Sequence, residues 1–230
     1  MNLGMDYTYI FVAIGALIVM IAQAGVTGSY SKYKEIDSKT GLKGKEVARK
    51  ILDANGLNKV KVKEVSGELT DHYNPSDKTV NLSSHIYNNN SIASVAVAAH
   101  ECGHAIQDKN GYFFLKFRHG LVPVANICSK LGYIVIMIGI GAGIFNIAVI
   151  GIILLSVILL FHLVTLPVEF NASSRAKKQL KNLNITNNGS DAGISKMLYA
   201  AGMTYVASLA SNFLQIFRLL LIILSRKRND

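Results

Sequence analysis

The residues best suited to chemistry in this sequence form the pentapeptide HECGH, residues 100–104. On a helix, residues four apart are turned by about 400°, so His100 and His104 would lie on one side, about one turn apart. Two neutral imidazoles so arranged can occupy two corners of a zinc tetrahedron, which leaves room for a third protein ligand and a water. Glu101 would lie beside them and could accept a proton from that water as a general base.

A pentapeptide this short can also consist of two solvent-facing histidines on an ordinary helix. Here the preceding run, SIASVAVAA (residues 91–99), is mostly apolar, so we expect the motif to lie on a largely buried helix. A buried glutamate between two histidines is costly unless it has a partner, and a bound metal ion offsets that cost. The sequence therefore predicts a metal site at His100 and His104, with Glu101 as the base.

The spacing of the motif does not identify the third ligand. A histidine ten residues after the first, as in the longer HExxHxxGxxH pattern, is absent because that position holds Asn110. Glu169 directly follows an apolar run and precedes small residues that allow another helix to approach closely. It fits equally well as an acidic residue in the first turn of a helix. The other candidates are the remaining histidines, which are His72, His85, His119 and His162.

The elements that must position these groups lie in residues 29–120, the main polar segment. Residues 44–57 have apolar side chains at helical spacing and end in Asn-Gly, which predicts a helix and its stop. Residues 59–65 alternate with period two, and residues 66–83 predict a short strand, an Asn-Pro-Ser-Asp turn and the strand TVNLS. An alanine-rich helix capped by Asn90 or Ser91 then carries the motif. This order predicts a small α+β unit.

The first apolar run, residues 9–26, predicts a membrane-spanning helix. A cleaved signal peptide is the alternative, because Ala-Gln-Ala at 22–24 resembles a cleavage site. Signal peptides begin with basic residues, whereas the only charge before this run is Asp6. We therefore expect a permanent span. Five lysines between residues 32 and 45 follow it, which predicts an external N-terminus and a cytoplasmic polar segment.

Two further apolar stretches follow the polar segment. Residues 121–166 are too long for one span of about 20 residues, and the glycines at 139, 141 and 143 predict a turn between two helices. The last run, residues 203–224, contains Arg218 and precedes the basic sequence Arg-Lys-Arg at 226–228. It is compatible with a full span, with a helix lying in the membrane surface and with a helix that bends back.

Composition supports a membrane protein. The chain has 24 Lys and Arg against 14 Asp and Glu, a net charge of +10, yet half of its residues are hydrophobic. The basic residues follow the apolar runs instead of forming one patch, so we expect no nucleic acid as a partner. The two cysteines, Cys102 and Cys128, cannot form a disulfide framework and are typical of reduced, buried positions.

Several spaced segments together resemble the YugP-like family of neutral zinc metallopeptidases of bacterial membranes, which is similar to the HtpX-type proteases. These segments are HECGHAIQ, EVARKILDANGL, LTDHYNPSDKTVNLS, LPVEFNASSRA and MLYAAGMTYVASLA. The resemblance extends over nearly the whole chain. The resemblance implies one Zn²⁺ per chain, with Glu169 as its third ligand. Where the HtpX-type pattern has an aspartate shortly after that glutamate, this chain has Asn171.

Together, these features predict an α+β zincin-like metalloprotease domain combined with about four transmembrane helices. The predicted parts are an N-terminal transmembrane helix (1–28), the cytoplasmic domain with the motif (29–120), a transmembrane hairpin (121–166), the Glu169 helix with its connecting segment (167–202), and an apolar helix with a basic tail (203–230).

The predicted function is that of an endopeptidase embedded in the cell membrane, acting on membrane or membrane-proximal proteins. The resemblance implies that this membrane is bacterial. An extended substrate would pair with the edge strand formed by TVNLS or LTDHY, and His72 or Tyr73 would donate to the oxyanion. The alternatives are a zinc-binding membrane scaffold without turnover and a transporter-like bundle in which the motif is incidental. The small number of predicted spans and the substantial polar segment argue against the transporter.

Overall fold

The computed structural model describes residues 7–186 and 189–227, and of residues 226 and 227 only the backbone. Asp6 and Arg228, which contributed to the topology prediction, lie outside the described residues. The elements in chain order are α1 (Tyr9–Tyr33), α2 (Gly44–Ala54), β1 (Lys61–Val65), β2 (His72–Asn74), β3 (Thr79–Ser83), α3 (Ser84–Asn88), α4 (Ile92–Lys109), α5 (Phe113–Gly141), α6 (Phe145–Asn182) and α7 (Asp191–Lys227).

These elements are divided between two compact units. The polar unit comprises residues 24–116, 167–186 and 189–203, and the apolar unit comprises residues 7–23, 117–166 and 204–227. Helices α1, α5, α6 and α7 each contribute residues to both. In the described chain the fold is therefore mostly helical, with a small sheet confined to the polar unit.

The sheet of the polar unit has the strand order β1-β3-β2. Strand β3 pairs in parallel with β1, with Val62 opposite Val80, and in antiparallel with β2, with Tyr73 opposite Val80. Because β3 is the central strand, all five of its residues are buried. Strand β2 pairs on one side only within the described residues, so it is an edge strand of the sheet.

Helices α2 and α4 form the core of the polar unit. The apolar face of α2 is completely buried at Val47, Ile51 and Leu52, as its spacing predicts. Its C-cap is Asn55, followed by Gly56 in the left-handed region at φ 65°, which confirms the predicted stop. The capping prediction for α4 is also confirmed, because the Ser91 hydroxyl accepts a hydrogen bond from the Ser94 amide at 3.1 Å.

In the part of the chain that the structure describes, four helices are long and apolar enough to cross a membrane, namely α1, α5, α6 and α7. The predicted turn of the hairpin is confirmed, since α5 ends at Gly141 and α6 begins at Phe145, with Gly143 at φ 70°. Helix α7 is continuous through residues 203–224, so the reading in which this run bends back is wrong.

Helix α6 extends much further than its apolar run. It continues without a break through Pro167 to Asn182, so Glu169 lies in its interior. The interpretation of Glu169 as an acidic residue in a first turn is therefore wrong. The helix continues because the residues after Pro167 pack in the polar unit, where Val168, Ala172 and Ala176 are completely buried.

Candidate metal centre

The centre lies where α4 and the C-terminal part of α6 approach each other within the polar unit. Gly103, between the two motif histidines, faces the backbone of Ala172. A β-carbon placed on Gly103 would lie 2.5 Å from the Ala172 carbonyl oxygen, closer than real atoms approach. The absence of a side chain at Gly103 therefore permits the short distance between the two helices.

Three side chains converge at this crossing: His100 and His104 from α4, and Glu169 from α6. The Oε2 atom of Glu169 is 3.3 Å from Nε2 of His100 and 3.6 Å from Nε2 of His104. The two Nε2 atoms are 3.2 Å apart. Glu169 is only 3% exposed and His104 9%, so these groups are largely removed from water.

The donor set and its dimensions fit a zinc ion. Nitrogen and carboxylate ligands lie about 2.0–2.1 Å from a tetrahedral zinc ion, which separates two ligand atoms by roughly 3.3 Å. The three separations observed here, 3.2, 3.3 and 3.6 Å, are close to that value. A metal ion can be held by three or more His, Cys, Asp or Glu side chains that lie close together. Within the described residues, His100, His104 and Glu169 form such a group.

The outward nitrogens of both histidines have partners of their own. Nδ1 of His104 lies 3.0 Å from Oε1 of Gln107, and Nδ1 of His100 lies 3.2 Å from the hydroxyl of Ser173. Such contacts orient the rings so that the opposite nitrogens, the Nε2 atoms, face the centre. Both imidazoles are thus fixed by partners on the side away from the centre.

Glu101 is buried beside this cluster. Burial raises the pKa of its carboxyl group to about 7, and the nearby Glu169 acts in the same direction. The neighbouring His100 and a hydrogen bond from the backbone N–H of Tyr73 act in the opposite direction. A carboxylate whose pKa is near neutrality can both accept and return a proton at physiological pH.

The structure keeps the other predicted ligands of the polar unit out of this cluster. The ring of His72 is engaged by the Thr70 carbonyl oxygen at 2.8 Å and by the Asn81 amide at 3.1 Å. The ring of His85 contacts the Lys34 carbonyl oxygen at 3.1 Å. His119 and His162 belong to the apolar unit.

The two residues predicted as oxyanion donors both lie on β2. The backbone N–H of Tyr73 reaches Glu101, while its hydroxyl donates to the Asp108 carboxylate at 2.6 Å. That carboxylate also accepts from Lys78 at 2.6 Å, so Asp108 ties the β2–β3 hairpin to the motif helix. The side chain of Tyr73 thus has an observed partner other than a substrate.

Three residues around the site were not identified from the sequence: Gln107 and Ser173, which contact ligands, and Asp108, which contacts Tyr73. Gln107 follows His104 by three residues and Ser173 follows Glu169 by four, so each shares a helix face with a ligand. That periodicity is the signal that could have identified them. It becomes informative only once Glu169 is known to be a ligand and once α4 is known to be buried.

Comparison with known proteins agrees with this geometry. Residues 8–224 match a family model described as "Putative neutral zinc metallopeptidase". The chain is 41% identical over 218 residues to a Bacillus subtilis (strain 168) protein described as "Putative membrane protease YugP". That alignment covers 94% of this chain and 97% of the relative. No solved structure gives a significant match.

Proposed function

The chain belongs to the neutral zinc metallopeptidase family, and on that premise we propose that it is a zinc-dependent endopeptidase of the bacterial cell membrane. The observation that carries the proposal is the convergence of His100, His104 and Glu169 within the polar unit. These three residues would hold one zinc ion per chain. When bound, the ion supplies Lewis acidity, polarising a carbonyl group and acidifying a water molecule.

Glu101 is assigned the proton transfers. Its carboxylate accepts a proton from the attacking water as the water oxygen adds to the scissile carbonyl carbon. It then returns this proton to the amide nitrogen as the carbon–nitrogen bond breaks, which yields a carboxylic acid and an amine. Its buried position beside His100 and Glu169 supports both roles.

The outer edge of β2 is the proposed binding site for an extended substrate, as in a zincin-like fold. Strand β3, the TVNLS segment, has β1 on one side and β2 on the other, so it has no edge to offer. Strand β2 has one, and the backbone N–H of Tyr73 on this strand reaches Glu101. A peptide added there would pass close to the proposed base.

The proposed substrates are membrane proteins or their membrane-proximal segments. Glu169 lies only three residues beyond the apolar run that ends at Leu166, on one uninterrupted helix. We place the polar unit in the cytoplasm, because lysines 32, 34, 39, 43 and 45 follow the first apolar run. If a soluble unfolded protein were cleaved as efficiently as a membrane-tethered version of it, this substrate class would be wrong.

The direct test of catalysis is Glu101→Gln in the purified, zinc-loaded protein, with casein and a membrane-tethered peptide as substrates. We expect cleavage to fall by at least about 10²-fold while zinc remains bound, because the amide cannot accept the proton. A scaffold without turnover is the alternative, and it predicts bound zinc with no cleavage sensitive to Glu101. Cleavage unchanged in the variant would overturn the assignment of the base.

A further inference from the structure

Gln107 has an amide orientation that the surrounding structure determines. Its side chain is completely buried on α4, three residues after His104. The amide nitrogen donates to the Val168 carbonyl oxygen at 2.8 Å and to Oδ1 of Asn171 at 3.0 Å. Since a backbone carbonyl only accepts, the NH₂ group must face Val168, and the amide oxygen must face His104.

Asn171 supports the same orientation. Its Oδ1 atom receives hydrogen bonds from Gln107 and, at 2.7 Å, from Nε of Arg175, and both of these groups are donors. The contact requires an oxygen acceptor and no negative charge.

The oriented amide determines which nitrogen of His104 carries the proton. Oε1 of Gln107 lies 3.0 Å from Nδ1 of His104 and can only accept, so Nδ1 must carry the hydrogen. In a neutral imidazole, Nε2 is then left with its lone pair, and this atom faces His100 and Glu169.

We infer that Gln107 is a positioning residue that holds His104 in its Nδ1–H tautomer, and so keeps Nε2 ready to bind zinc. It also ties the motif helix to the turn of α6 that precedes Glu169, through its bond to Val168. The corresponding partner of His100 is the hydroxyl of Ser173, which can donate or accept and does not fix a tautomer. This role rests on the metal site proposed above.

Two substitutions separate the acceptor of Gln107 from its donor. Gln107→Met and Gln107→Glu both remove the N–H donor to Val168, whereas only glutamate keeps an oxygen facing His104. We expect Gln107→Met to weaken zinc binding about 10–100-fold, as measured by competition with a chromophoric chelator. Gln107→Glu should bind zinc at least about tenfold more tightly than Gln107→Met. Equal affinities of the two variants, or an unchanged affinity in Gln107→Met, would overturn the inference.

Two controls distinguish positioning from packing and from charge. Gln179 makes a reciprocal, partly buried amide pair with Asn55, so Gln179→Met removes an amide contact of α6 that touches no histidine. It should leave zinc affinity unchanged. Adding Asn171→Asp to Gln107→Met supplies a nearby negative charge without an acceptor for His104, and it should not restore the affinity.

The tautomer can also be read without the metal. In the zinc-free protein with ¹⁵N-labelled histidine, long-range ¹H–¹⁵N correlation spectra should show His104 as the Nδ1–H form, and as a mixture of tautomers in Gln107→Met. An Nε2–H form in the wild type would overturn the inference even if zinc binds. Absence of zinc binding in the wild type, with His104 held as Nδ1–H, would instead contradict the proposed metal site.

Discussion

Gly103 lies directly against the carbonyl group of Ala172, and this contact brings the motif helix close enough to α6 for the ligands to meet. A β-carbon at Gly103 would lie 2.5 Å from the carbonyl oxygen and 3.1 Å from the Ala172 Cα. Both neighbours belong to the backbone and cannot rotate away. Separation of the helices is the only way to make room.

Gly103→Ala should therefore lower the free energy of unfolding by about 1–3 kcal/mol, the usual cost of overpacking. It should also weaken zinc binding, because Glu169 moves away with α6. Thermal unfolding and chelator competition measure the two effects. Gly28→Ala on α1 is the matched control, since a β-carbon there would meet nothing within 4 Å. If both variants behaved alike, the close approach would not be what holds the centre together.

Asp71 should make stability depend on pH. Burial raises the pKa of its carboxyl group, and the hydrogen bonds from the Ser83 amide and hydroxyl only partly oppose this. Because the folded-state pKa lies above the unfolded value of about 3.9, ionisation costs more in the folded protein. The contribution of Asp71 is then fully present below the unfolded value and is lost as pH rises through the folded value.

Asp71→Asn keeps an acceptor for Ser83 but cannot ionise. Between pH 4 and pH 7, the unfolding temperature of the wild type should therefore fall relative to that of the variant. Asp53→Asn is the control, because this side chain is 52% exposed. The difference in unfolding temperature between the wild type and Asp53→Asn should change little between pH 4 and pH 7. If the wild type instead became more stable relative to Asp71→Asn as pH rose, the pKa of Asp71 would not be raised in the folded protein.

The hydroxyl of Tyr73 is predicted from the sequence to stabilise the oxyanion, whereas the structure shows it bonded to Asp108. Tyr73→Phe separates these roles. If the hydroxyl stabilises the oxyanion, kcat of Tyr73→Phe should be about 10²–10³-fold lower than that of the wild type, with little change in KM. Asp108→Asn is the comparison, because it weakens the tie to the hairpin and leaves the hydroxyl in place. If both variants raised KM in parallel and spared kcat, Tyr73 would only position β2.

His72 requires a separate test, since both nitrogens of its ring have partners in the structure. His72→Asn keeps a side chain able to donate, and His72→Ala removes it. An oxyanion role predicts a lower kcat in His72→Ala and partial recovery in His72→Asn. Equal kcat values in the wild type and His72→Ala would remove this residue from the mechanism.

Local elements of this fold could be predicted because their signals lie within a few residues. The cap at Ser91, the stop at Gly56 and the turn before Phe145 each depend on side chains or φ angles that short segments determine. The same holds for the pairing of His100 with His104 on one helix face.

The relationships between distant segments could not be derived from spacing. Glu169 meets His100 across 69 residues of sequence, and only the resemblance to a known family singled it out. The continuation of α6 through Pro167 was missed, because proline normally interrupts a helix and the packing of Val168 and Ala172 overrides that preference. The role of Gln107 depends on the position of the Val168 carbonyl, which no sequence pattern reveals.

The central claim is that His100, His104 and Glu169 form one zinc site. Its most direct test is the metal content of the detergent-purified protein, for the wild type beside His104→Ala and Glu169→Ala, with Glu35→Ala as an exposed control. We expect close to one zinc per chain in the wild type and the control, and loss of zinc in both ligand variants. A wild type without zinc after the ion had been supplied, or Glu169→Ala that retained it fully, would contradict the claim.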